Sequence, residues 1–249
     1  MELTTAQIAA WVGAFMYPLM RVGAAAMVAP VFGNDMIPVR VRVFIGFGLT
    51  VAIMPAVGPV PAVDPLSAHG LMIGFVLALA LNTVVIAGES VALAMGLGFA
   101  TMVDPQTGMS VPVISQVLLV ITTLLFLALG GHLVLIQLVA DSFSAIPIGG
   151  AGLTRDAFWD IAAWGSQLFA GAVLIALPVV MVLLVINLAL GVMTRAAPQM
   201  NVFSVGLPVT LLVGSLLIPV MLLPALPHRM AGVWRYAYDT IGALLGVPG

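Results

Sequence analysis

Apolar residues run along this chain in long stretches, and its polar residues gather in the short segments between them. The stretches cover residues 7–31, 43–57, 71–103, 113–140, 161–192 and 202–226. A helix that crosses a membrane needs ~20 mostly apolar residues, so the pattern predicts about six long apolar helices. Lipid leaves no water to satisfy unpaired backbone groups, which favours helix throughout. The stretches are too long, and alternate too little, to be barrel strands. The expected fold is therefore all-α, an integral membrane protein of helical hairpins with broken or kinked segments.

The stretches are uneven. The second is short and stops at Pro55, and Pro59, Pro61 and Pro65 follow it. Each proline lacks a backbone donor and restrains the residue before it, which predicts a loop. The third is far longer than one span and holds Glu89 beside Gly88. A helix broken or bent near Gly88 is expected, its second half forming a hairpin with the fourth stretch. Between residues 141 and 160, Pro147, Gly149, Gly150 and Gly152 predict a loop that separates two hydrophobic halves. The N-terminus carries Glu2 and no basic residue ahead of its apolar run, unlike a cleavable signal, so a retained first helix is expected.

Composition sharpens the class. Hydrophobic residues make up 63% and charged residues 6% of the 249, with a mean hydropathy of +1.26. A soluble domain carries roughly 25% charged residues, so this chain cannot solvate a full surface by itself. All seven basic residues are arginine, which removes Schiff-base chemistry and a P-loop lysine. Cysteine is absent, which excludes disulfides and thiolate chemistry. Net charge is −2 with no basic run, which argues against nucleic acid as a partner. Six ordinary spans would put Arg40, Arg42 and Arg195 on one side and Arg155, Arg229 and Arg235 on the other. That balance sets no orientation.

Several polar residues stand out against this background. In residues 102–112, Asp104 precedes Pro105 and is pushed out of helical geometry, while Gly108 permits a turn. The bland reading of Met102, Asp104, Pro105, Gln106, Gly108, Met109 and Pro112 is a turn at the membrane edge. Met95, Met102 and Met109 recur every seven residues, however, and methionine can fill an irregular gap and still move aside. Glu89 either marks an ion path or is a structural carboxylate, buried or bonded across a subunit interface. His132 follows Gly130 and Gly131, and a hydrogen bond to a neighbouring helix is expected there rather than a metal. Arg21 either snorkels to the interface or pairs with a partner's acid. Gly96-Leu97-Gly98 lacks the preceding strand of a dinucleotide fingerprint.

In residues 187–208, NLALGVMTRAAPQMNVFSVGLP, Gly191 permits close helix approach and Asn187 can bond across helices. Arg195 opposes the negative end of a helix macrodipole, Pro198 breaks the helix, and Gln199 and Asn201 can satisfy the freed backbone. This is a capped turn on its bland reading, or else a subunit interface.

This segment resembles the signature of the FliR family of flagellar type III export-gate proteins, which has counterparts in virulence injectisomes. Asp104-Pro105-Gln106-Thr107-Gly108 with Val111-Pro112-Val113, and the Gly130-Gly131-His132 step, are similar to the same family. The likeness runs from about residue 8 to about residue 228 and is nearer the flagellar branch. It implies a non-catalytic, pore-forming subunit without cofactors, in the bacterial inner membrane at the flagellar basal body. It implies FliP and FliQ as partners, with FlhB and FlhA nearby, and unfolded flagellar proteins as cargo. It also implies that residues 1–140 resemble FliP and 160–249 resemble FliQ, and that residues 102–112 plug the gate. Asn187, Gly191, Arg195, Pro198, Gln199, Asn201, Phe203 and Pro208 would then serve assembly. The alternative is a stand-alone secondary transporter using Glu89, which predicts an internal repeat that the sequence lacks. An intramembrane hydrolase lacks any paired catalytic constellation.

Overall fold

The computed structural model describes residues 5–28, 38–57, 69–97, 112–146, 155–197 and 202–246. Among these, every regular element is helical: α1 (Thr5–Val28), α2 (Val39–Ile53), α3 (His69–Ala94), α4 (Val113–Ala128), α5 (Gly131–Ala145), α6 (Arg155–Ala196), α7 (Val202–Leu217) and α8 (Leu223–Leu245). A 3₁₀ turn, Met54–Ala56, follows α2 at Pro55, where the sequence predicts the second run to stop. A π turn, Ile218–Leu222, joins α7 to α8. Pro219 sits in it, and a proline's missing N–H and bulky ring push the ladder into a wider turn. Each apolar stretch thus has its helix, and the all-α expectation holds.

Three departures have clear causes. The break expected at Gly88 does not occur, because α3 runs through it to Ala94. Glycine costs a helix interior about 1 kcal/mol relative to alanine. Here it has a packing use instead, since a Cβ on Gly88 would lie 2.7 Å from the Ser115 Cα of α4. The fourth stretch, by contrast, does break. Gly130 adopts φ 74°, and α4 and α5 meet at a 66° bend. Finally, α6 and α7–α8 overrun their apolar stretches. The expected 141–160 loop is shortened from both sides, by α5 to Ala145 and by α6 from Arg155. Arg229 and Arg235 lie within α8 rather than in a loop.

Two compact units cut across the helices. The first comprises Met1–Ala80, Phe126–Gly165 and Trp234–Gly249. Within it, α1 packs on α2 through Phe15 and Phe47, whose rings lie 5.2 Å apart. Phe126 meets Trp234 edge-on at 5.3 Å, and Ile73, Val76, Leu135 and Val139 are buried in the same unit. The second comprises Leu81–Leu125 and Ser166–Val233. Its core is built from Val84, Val91, Leu118, Ile175, Val179 and Leu183. Small residues bring its helices close: a Cβ on Gly171 would stand 2.8 Å from Thr83, and one on Gly214 would stand 2.5 Å from Met95.

Among the described residues, three helices are long and apolar enough to cross a membrane, or four if the bent pair is one span. One of them, α6, has 42 residues, or about 63 Å at ~1.5 Å per residue. That is about twice the ~30 Å hydrocarbon thickness of a bilayer. Only 28% of its most apolar stretch is buried, against 56% for α3. Phe169, Leu177, Leu184, Leu188 and Val192 lie bare along it.

Candidate functional site

The last four carbonyls of an α-helix have no partner within the helix. At the end of α3 every one of the terminal carbonyls is accounted for. Gly96, at φ 85°, lets the chain turn back. Its N–H then bonds Leu93 O and that of Leu97 bonds Ala92 O, both at 3.0 Å. This is the glycine-capped Schellman arrangement. Val91 O takes the Met95 N–H at 2.9 Å, and Ala94 O, with Met95 O just past the helix, is met from elsewhere in the second unit. Asn187 Nδ2 of α6 donates to Ala94 O at 3.0 Å, and the Thr210 hydroxyl of α7 lies 2.9 Å from Met95 O and 3.0 Å from Leu207 O of its own helix, shared between the two. Met95 itself is buried over Gly214, where no side chain of α7 intervenes. Helices α3, α6 and α7 are therefore tied together where α3 stops.

The expectation that Asn187 bonds across helices is met in this way. The close approach expected at Gly191 is not made within the described residues, since a Cβ there would meet nothing within 4 Å. Arg195 is exposed in the last turn of α6, with Asp156 in the first, so both charges oppose the helix macrodipole. Pro208 lies inside α7 and is exposed. Phe203 belongs to α7, and its side chain lies outside the described set. Pro198, Gln199 and Asn201 lie outside the described residues, as do Met102, Asp104, Pro105, Gln106, Gly108 and Met109. Pro112 is described, and its carbonyl receives the Gln116 N–H at 3.2 Å as α4 begins.

The first unit holds the residues that sequence reasoning placed least well. Arg21 does not snorkel; it is 1% exposed. Its Nη1 donates to Ser142 O and Ile146 O, both at 2.9 Å, and its guanidinium carbon lies 4.6 Å from the Phe143 ring centroid. The charge thus meets the negative end of α5 and an aromatic face, two favourable partners for a buried cation. Polarity alone reveals that Arg21 needs a partner, not that the partner is a helix end 121 positions away.

At the Gly130-Gly131 step, the intimate contact is made by Gly131, whose Cβ would meet Phe126 at 2.5 Å and the Tyr238 hydroxyl at 2.9 Å. Tyr238 donates to Gly131 O at 3.0 Å. His132 is half-buried, and its Nδ1 has no partner among the described residues, contrary to the interhelical bond expected for it. Glu89 is half-buried on α3. Neighbouring Ser90 bonds its own helix at Ile86 O, 2.8 Å away, and Ser115 bonds Val85 O at 3.1 Å.

The chain has recognisable relatives among known proteins. The profile described as bacterial export proteins, family 1, matches residues 12–236. The chain is 36% identical over 260 aligned positions to the flagellar biosynthetic protein FliR of Escherichia coli K12, covering 98% of each. It is 35% identical to that of Pectobacterium carotovorum, over 94% of each. It is 34% identical to that of Aquifex aeolicus, over 81% of this chain and 82% of the relative.

Proposed function

This chain belongs to the bacterial export proteins, family 1, the family of the flagellar biosynthetic protein FliR, and from that premise we propose that it is a pore-forming subunit of a flagellar type III export gate. It works in flagellar protein export as a structural rather than catalytic component. It assembles with FliP and FliQ in the inner membrane at the basal body, with FlhB and FlhA beside it. Residues 1–140 take FliP-like positions and residues 160–249 FliQ-like ones. Unfolded flagellar subunits pass through the channel. Met102, Asp104, Pro105, Gln106, Gly108, Met109 and Pro112 close it, and Asn187, Gly191, Arg195, Pro198, Gln199, Asn201, Phe203 and Pro208 hold the assembly together.

One observation carries this reading. Helix α6 is about twice the length of a hydrocarbon core and largely bare of cover from its own chain. Lipid reaches only part of such a rod, so protein neighbours must cover the rest. The end of α3 adds support, because Asn187 of α6 and Thr210 of α7 bond the carbonyls of Ala94 and Met95 there. A transporter built on Glu89 would need a second ionisable group near it for a relay. Apart from the histidine at its start, α3 carries no second ionisable side chain.

The test is to purify the complex through a tag on this chain and image it. A hetero-oligomer containing FliP and FliQ around a central channel is expected. A stable solitary chain, or one that moves a small solute unaided, would overturn the reading.

A further inference from the structure

Helix α2 has 15 residues, or about 22 Å at ~1.5 Å per residue, too short to cross the ~30 Å hydrocarbon core. One edge of it, at Gly46, Thr50 and Ile53, is buried. Exposed residues take up more than half of its circumference. Along the middle of that bare face, Arg40, Phe44, Phe47 and Val51 follow one another at offsets of four, three and four. Such offsets place all four side chains in one strip. Phe44 is 76% exposed, Phe47 49% and Val51 50%.

The strip is cationic at one end and apolar beyond it. Arg40 and Arg42 stand in the first turn of α2, which holds no acidic residue, so the positive end of the macrodipole opposes both. An anion supplied from outside relieves that repulsion. From Arg40 to Val51 the strip is about 16 Å long at ~1.5 Å per residue. One leaflet of hydrocarbon is about 15 Å deep, half of the ~30 Å core. An anionic headgroup followed by an acyl chain therefore matches the strip in length and in the order of charge and apolar surface. Water does not suit Phe44, and a protein would have to wrap more than half of the helix, which fluid acyl chains do without a fitted surface. We propose that the outer face of α2 binds an anionic phospholipid, with the phosphate at Arg40 and acyl chain along Phe44, Phe47 and Val51. The site needs only that the chain lies in a membrane, so it goes beyond the subunit reading above and stands apart from it.

The chain contains no cysteine, so Phe44→Cys gives a single attachment point for a fluorophore. The labelled full chain, with whatever subunits accompany it, is placed in vesicles that hold a phospholipid carrying a nitroxide quencher on its acyl chain. The quencher lipid is either anionic phosphatidylglycerol or zwitterionic phosphatidylcholine, at the same low mole fraction. Both are expected to quench, the anionic one about fivefold more effectively. Arg40→Gln should bring that ratio close to one, and Arg40→Lys should keep most of it, with helical content by circular dichroism unchanged in both. Quenching by neither lipid would mean that water or protein covers the face, and overturns the site. Equal quenching by the two lipids beside an unaltered Arg40 would mean hydrocarbon contact without headgroup capture, and also overturns it. A preference that survives Arg40→Gln overturns the pairing of phosphate with Arg40.

Discussion

Thr210 closes the end of α3 with its hydroxyl, which lies 2.9 Å from the Met95 carbonyl, 115 positions earlier in the chain. Both residues are buried, so an unpaired Met95 carbonyl would keep its full desolvation cost. Thr210→Val preserves the shape and removes the donor. A loss of about 1–3 kcal/mol is expected, read from thermal unfolding in detergent. Hydrogen exchange at the Gly96 and Leu97 amides should quicken, because the turn they form is anchored next to that carbonyl. Unaltered exchange there would show that the turn holds by itself.

Gly88→Ala should be poorly tolerated. The new methyl carbon would sit 2.7 Å from the Ser115 Cα, a backbone atom that cannot swing aside. Forcing α3 and α4 apart should cost about 1–3 kcal/mol. Gly48→Ala is the control, since nothing lies within 4 Å of a Cβ there. In α2 it should be neutral or stabilising by up to about 1 kcal/mol. Equal melting temperatures for the two variants would contradict the packing argument.

Arg21→Lys keeps the charge and loses the planar fork. Lysine cannot both reach two carbonyls and lie flat on Phe143, so a loss of about 1–3 kcal/mol is expected. Arg21→Met should be more damaging where α5 ends, with faster exchange at the Ile146 amide that bonds Ser142 O. A melting temperature unchanged by the lysine variant would show that charge alone suffices.

Deleting residues 102–109 tests the plug. In a reconstituted gate the deletion should raise conductance to small ions severalfold, leaving assembly intact. Conductance equal to that of the unaltered gate would remove the plug from the proposal.

Replacing Arg195 or Asn201 with alanine should reduce recovery of the complex more than it alters the fold of the chain. The check is co-purification beside helical content by circular dichroism. An intact complex from both variants would count against their place at an interface.

The sequence showed where helices occur more clearly than where they bend. Apolar run length located a helix in every run, because lipid or protein must cover such stretches whatever the tertiary detail, but α8 past Leu226 lies outside them all. Glycine was the ambiguous letter. Gly88 and Gly130 look alike in sequence, yet Gly88 serves close packing while Gly130 supplies a positive φ and a bend. That choice depends on what lies opposite, which local sequence does not encode. Helix ends were misplaced for a related reason: hydropathy falls at Arg229 and Arg235, but backbone hydrogen bonding in α8 continues past both. Of the site, the role of Asn187 as an interhelical donor was legible, whereas its acceptor was not. Thr210 went unnoticed altogether, because a lone threonine in an apolar run carries no signal until Met95 is brought beside it.

The bare flank of α6 has a consequence for how a cell makes this protein. If the proposed assembly is correct, a newly synthesised copy without companions presents a greasy surface, and surplus copies should be short-lived.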